Sequence, residues 1–259
     1  MNLNIYYYTI NKVEIMALPK IQTPVFDLKL PSTGEEVKYR PFTVKEEKVL
    51  LIAQKSNESK DQINAVKQII NNCIIQPDNI NIDKLASFDI EYLFLKLRAK
   101  SVGEQVKVKL VPQKRENLPP AEVEMNLDEI EPKFAEGHSN IIEFPEENMK
   151  LKMTYPTFES VLESAKAANE EEQLFQIFAK TIDTIYQGEE TYEAKDYTLK
   201  EIEEFMENMN TKHLKKLQAY FEGLPILKKE FDYRWVNPED EGDVHEEVIS
   251  VQGLLNFLA

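Results

Sequence analysis

Apolar residues alternate with polar ones at Phe26, Leu28 and Leu30, just after Val25, and alternate again at Val37 and Tyr39. The turn sequence Pro31-Ser32-Thr33-Gly34 separates the two runs. Period-two alternation on both sides of a turn predicts a β-hairpin. Arg40-Pro41-Phe42 stops the second strand. Thr43 then has the chemistry of a helix N-cap, and Glu46 completes a capping box ahead of Val49, Leu50 and Ile52. Asp61 to Ile75 predicts a second helix, built on Ile63, Val66, Ile69, Ile70 and Cys73 and closed by Pro77. The strongest helical pattern runs from Phe88 to Ala99. Ile90, Leu93, Phe94 and Leu97 make one stripe, and Tyr92 and Leu95 widen it. A stripe that wide belongs to a helix buried on most sides.

Beyond Ser101-Val102-Gly103, Val106, Val108 and Leu110 alternate, as do Val123, Met125 and Leu127. They predict a strand pair whose polar, proline-rich loop, Pro112 to Pro120, lies at the surface. Ile141 to Phe144 predicts a further strand, and so do Leu151, Met153 and Tyr155, closed by Pro156. Thr157 caps the next helix, through Ala168. From there the pattern is mainly helical. Leu174, Ile177, Phe178, Ile182 and Ile185 read as a single helical stripe. Thr198 and Glu201 form a second capping box before Ile202, Phe205 and Met209. Thr211 opens a helix with Leu214, Leu217 and Phe221, which Gly223 and Pro225 terminate. A strand with Leu227, Phe231, Tyr233 and Trp235 follows, then an acidic loop from Glu239 to Asp243, Val248 and an apolar tail. The expected fold class is α+β: an N-terminal β-hairpin and helices with a small antiparallel sheet, then a mainly helical, acidic C-terminal half. The expected division is a mixed unit over residues 16–156 and a helical acidic region over 157–259. Residues 1–15 are expected to be an extension or a start assigned too early, because MALPKIQTP from Met16 has the look of a natural start; the alternative is an extra strand through Ile5, Tyr6, Tyr7 and Tyr8.

Charge narrows the function. The chain carries 46 acidic and 31 basic residues, a net of −15. Between Glu170 and Glu207 there are twelve acidic residues and three basic ones, a net of −9. Such a balance argues against nucleic acid or an anionic membrane as partner, since both recruit Lys and Arg. It favours proteins with basic or mixed faces. No apolar run approaches membrane-spanning length.

The residue types that carry chemistry are dispersed. The seven glycines never reach phosphate-loop spacing, which argues against a P-loop or dinucleotide fingerprint. His138, His213 and His245 have no second histidine or cysteine at ligand spacing, so no metal or cofactor is expected. His138 reads as a polar loop residue, His213 as a solvated helix residue and His245 as an exposed strand residue. The lone Cys73 reads as a small buried hydrophobe. The glutamate clusters read as solvated helix faces rather than a catalytic pair, and no catalytic residue or small-molecule substrate is expected. Two features have the composition of a partner-binding surface: the alternating Phe231, Tyr233 and Trp235, and the tail residues Leu254, Leu255, Phe257 and Leu258. Core packing is the default reading of both, and partner binding the alternative.

The stretch LPSTGEEVKYRPFTVKEEKVLLIA, with FDIEYLFLKLRAKSVGEQVKVKL from Phe88, resembles the baseplate proteins of T4-type contractile-tailed bacteriophages. The resemblance is good over roughly residues 16 to 165. That family holds a baseplate hub subunit and a paralogue that assists hub assembly. The resemblance therefore implies a non-enzymatic protein of the virion tail baseplate, assembled in the host cytoplasm, whose partners are other hub proteins. The alternatives are a hub assembly chaperone absent from the mature particle, and an enzyme whose site the sequence hides. Some relatives place cysteine pairs near the loop at 112–120, as in a small zinc-binding hairpin. This chain has Gln113, Lys114, Arg115 and Glu116 there, so a metal role is not expected.

Overall fold

The computed structural model describes residues 21–56, 59–78, 80–164 and 169–253. Phe26–Lys29 (β1) pairs antiparallel with Glu36–Tyr39 (β2), as the alternation predicts. Gly34 takes the positive φ, 73°, that the turn requires. Thr43 caps Val44–Gln54 (α1), and its backbone N–H donates to the Glu46 carboxylate at 2.8 Å, completing the capping box. Arg40 reaches the same carboxylate at 3.2 Å and the Asn72 carbonyl at 3.0 Å. Burial alone would raise the Glu46 pKa. The bonds from Thr43 and the Arg40 charge outweigh it and hold the group down at about 2. Ser59–Cys73 (α2) ends earlier than expected, because Ile74–Gln76 (β3) peels away and adds to β2.

Ser87–Val102 (α3) is the central helix that its wide stripe predicts. Ile90, Leu93, Phe94 and Leu97 are fully buried against Leu30, Val37, Val66 and Ile69. The opposite side, Phe88, Tyr92, Leu95 and Ala99, packs on Met125, Leu127, Ile130 and Leu227. Fully buried Asp89 fixes the first hairpin to this helix: it accepts the Ser32 N–H at 3.0 Å and the Ser32 hydroxyl. Burial keeps its pKa above the ordinary carboxylate value even so. Ser101 accepts the Phe42 N–H at 2.9 Å farther along. The two stretches that carry the resemblance thus interlock.

Gln105–Leu110 (β4) and Ala121–Asn126 (β5) form a two-stranded ribbon. The chain then passes under α3, where the buried Lys96 donates to Glu131 at 2.7 Å. Ile141–Phe144 (β6) and Met149–Met153 (β7) follow, then Phe158–Ser164 (α4) and Glu170–Thr181 (α5).

Past α5 the expected fold fails. The predicted helical stripe breaks after Thr181, and Ile182–Gln187 (β8) turns back into Glu190–Glu193 (β9). The Thr181 hydroxyl bonds the carbonyls of Ile177 and Phe178 as the helix ends. Ile182 and Ile185 are three apart and so mimic helical spacing, but they lie on a strand paired with β7. The four-stranded sheet β6-β7-β8-β9 packs against α5, Leu199–Glu207 (α6) and Thr211–Glu222 (α7) through Leu151, Met153, Phe178, Ile182 and Leu217.

Most of the predicted acidic loop, together with Val248, also becomes strand. Lys228–Asn237 (β10) and Asp240–Gln252 (β11) make a long antiparallel ribbon. In β11 the inward position opposite Tyr233 is Glu247, not an apolar residue, which hides the alternation. Among the described residues the fold has seven helices and eleven strands in four small antiparallel sheets, and its C-terminal end is strand-rich rather than helical.

Candidate interaction surfaces

The sequence-predicted stripe lies on the inner face of β10. Phe231, Tyr233 and Trp235 stand opposite Ile249, Glu247 and His245. Phe231 packs on the α3 core. Tyr233 is buried, and its hydroxyl donates to the Pro119 carbonyl at 2.7 Å. Trp235 is half-buried beneath the Arg115 guanidinium, 5.4 Å from the ring centroid. The loop over 112–120, expected simply at the surface, is anchored onto this ribbon. The buried Glu247 accepts N–H bonds from Gln113 at 3.0 Å and Lys114 at 3.3 Å. Arg115 forks onto Asp243 at 2.6 and 2.8 Å, and together with Asn237 it holds that exposed carboxyl down at about 2. Leu254, Leu255, Phe257 and Leu258 lie outside the described residues, as do residues 1–15.

The histidines are packed more tightly than expected. His138 stacks between Tyr155 and Tyr220, at centroid distances of 5.9 and 5.3 Å, and burial lowers its pKa. His213 is buried against Phe144 and meets Glu147 at 2.8 Å, so it is not a solvated residue. His245 is largely covered, 3.5 Å from Glu247, rather than exposed. Burial pushes the Cys73 thiol up to about 11, which suits an inert core residue. Burial also raises Glu91 to about 7, but it lines none of the grooves beside α7, β10 or α6. Among the described residues no group of three or more His, Cys, Asp or Glu is placed to hold a metal ion.

Two exposed apolar features stand out. The outer face of α1 presents Val44, Leu51 and Ile52, with Ile52 72% exposed, while Leu50 and Ala53 face the core. An outward helix face ordinarily carries charge. The sequence signal was there: Val49, Leu50, Leu51 and Ile52 are consecutive and must point to both sides.

The second feature is a groove of roughly 410 Å³ between the β8–β9 hairpin and α6. Ile185, Tyr192, Ala194, Tyr197, Ile202 and Phe205 line it. Ile185 and Tyr192 are cross-strand partners, joined through the two-residue turn Gly188-Glu189, where Gly188 has φ 63°. Sequence reasoning missed this groove because it read β8 as helix. The glycine between two short β-prone runs, IDTIYQ and ETYE, was the available signal.

A family model described as T4 bacteriophage base plate protein matches residues 23–259. No curated protein and no solved structure matches the chain.

Proposed function

This chain belongs to the T4 bacteriophage base plate protein family, and from that membership we propose that it is a non-enzymatic structural subunit of the baseplate hub. It acts by protein–protein assembly in the virion tail, after folding in the host cytoplasm. The observation that carries the reading is the family match across residues 23–259. The structure supports it with surfaces suited to burial against neighbours: the apolar outer face of α1 and the apolar groove beside α6. The partners are other hub proteins. The strongly acidic stretch from Glu170 to Glu207 orients their approach, because a concentrated field acts mainly on encounter and register. The tail residues Leu254, Leu255, Phe257 and Leu258 serve as a further apolar anchor. An assembly factor that leaves before the particle matures is the competing role within the same family.

The test is a phage carrying a stop codon early in this gene. The proposal expects particles without complete baseplates by electron microscopy, restored by supplying the chain in trans. Normal baseplates in its absence would overturn it.

A further inference from the structure

The groove beside α6 opens next to a free sheet edge. Among the described residues β9 pairs only with β8, so one side of Glu190–Glu193 has no strand partner. The groove interior is mostly apolar; the Tyr192 hydroxyl donates to Glu190, and the polar lining residues other than the two tyrosines are engaged as well. Glu201 accepts the Thr198 N–H at 2.7 Å and its hydroxyl at 2.8 Å, and the Gln187 amide donates to the Glu147 carbonyl at 2.9 Å. A pocket selective for a small molecule needs convergent free polar groups. An apolar slot beside an open strand edge instead matches the way a sheet takes up an extended segment. Main-chain bonds to the edge supply affinity, and a pocket for alternate side chains supplies selectivity.

The rim states the charge of the occupant. Between Gly188 and Glu207 there are eight acidic residues and two lysines. Both lysines are held by neighbours, Lys195 by Glu193 and Lys200 by Glu204. Edge-to-edge pairing with a second copy would set glutamates against glutamates, the usual way an edge strand is protected from self-association. The chain's own tail is a poor fit. It has no basic residue, and it leaves β11 at Gln252, opposite Lys228, which lines a different groove.

We propose that the outer edge of β9 and the groove formed by Tyr192, Tyr197, Ile202 and Phe205 dock an extended segment of another baseplate protein. The segment adds as a strand beside β9, seats a large apolar side chain in the groove and carries lysine or arginine on its flanks. The inference rests on the assembly role proposed above for the identity of the partner, not for the chemistry of the site.

The probe is a seven-residue peptide that alternates lysine with valine around a central phenylalanine. Its counterpart has every lysine replaced by glutamate. Both are titrated into the isotope-labelled full chain and followed by backbone NMR. The lysine peptide is expected to shift the amides of Glu190–Glu193 and to bind at least about tenfold more tightly than its counterpart. Tyr197→Ala, which removes an exposed wall of the groove, and Glu193→Lys should each weaken binding about fivefold or more without altering the remaining spectrum. No shift at millimolar peptide, shifts confined to another face, or equal binding of the two peptides would overturn the proposal. Peptide binding does not depend on incorporation into particles. Failure here therefore removes only the docking site, and failure of incorporation removes only the subunit role.

Discussion

Asp89 holds together the two segments that carry the family resemblance, and its removal has a calculable cost. It is fully buried on α3 and accepts both the N–H and the hydroxyl of Ser32 in the first hairpin turn. Hydrogen bonds to a charged acceptor contribute about 1.5–3 kcal/mol each. Ser32 itself is only half-buried, so water recovers part of what is lost when its acceptor is deleted. Asp89→Ala should therefore destabilise the chain by about 2–4 kcal/mol. Asp89→Asn should behave differently. Its amide oxygen accepts the Ser32 N–H, its amide nitrogen pairs with the hydroxyl, and no charge is buried. The sign of the pH dependence follows from the raised folded pKa of the aspartate. The folded state holds this proton more tightly than the unfolded state. Wild-type stability therefore falls as pH rises from the ordinary value of 3.8 through the raised folded value. At pH 7 the asparagine variant should lie within about 1 kcal/mol of wild type, and its relative stability should improve with rising pH over that window. Urea denaturation followed by circular dichroism, with linear extrapolation at several pH values, measures all three proteins. An alanine variant within about 1 kcal/mol of wild type, or an asparagine variant as damaged as the alanine one, would refute the assignment of Asp89 as the hairpin anchor.

The depressed Glu46 carboxyl should give the opposite limb. Its contribution, on the order of 3 kcal/mol, is fully present above the ordinary value of 4.5 and is lost as pH falls toward about 2. Glu46→Gln should flatten the acid limb of stability between about pH 5 and pH 2, and an unchanged limb would show that Arg40 and Thr43 do not hold that charge. Glu247→Ala should leave the Gln113 and Lys114 N–H groups without an acceptor. Hydrogen exchange at those two amides should speed up by about ten- to a hundredfold, with a red shift in the fluorescence of Trp235, the single tryptophan; unchanged exchange would mean that the loop is held by other contacts.

What the sequence made legible was local. The capping boxes at Thr43 and Thr198 need only residues three apart, and both formed. The width of the α3 stripe announced a helix packed on two sides, and two clusters share it. What stayed hidden depended on distant partners. Ile182 and Ile185 fit a helical period as well as a strand, and only pairing with β7 decides between them. The inward Glu247 looks like a solvent residue until the loop at Gln113 arrives to meet it, more than a hundred positions away. The anchoring of Arg115 on Asp243 over Trp235 was equally out of reach, because none of the three has a local reason to meet. The candidate groove followed the same rule, since its walls come from α6 and from a hairpin whose first strand fits a helical period.

The central claim is that this chain is a permanent structural subunit of the baseplate hub. Quantitative mass spectrometry of purified, infectious particles tests it most directly, with lysate from the same infection measured in parallel. The account predicts peptides from this chain in the particles, in a fixed ratio to other baseplate proteins across independent preparations. Abundant peptides in the lysate with none in the particles would contradict it and leave the transient assembly factor in its place.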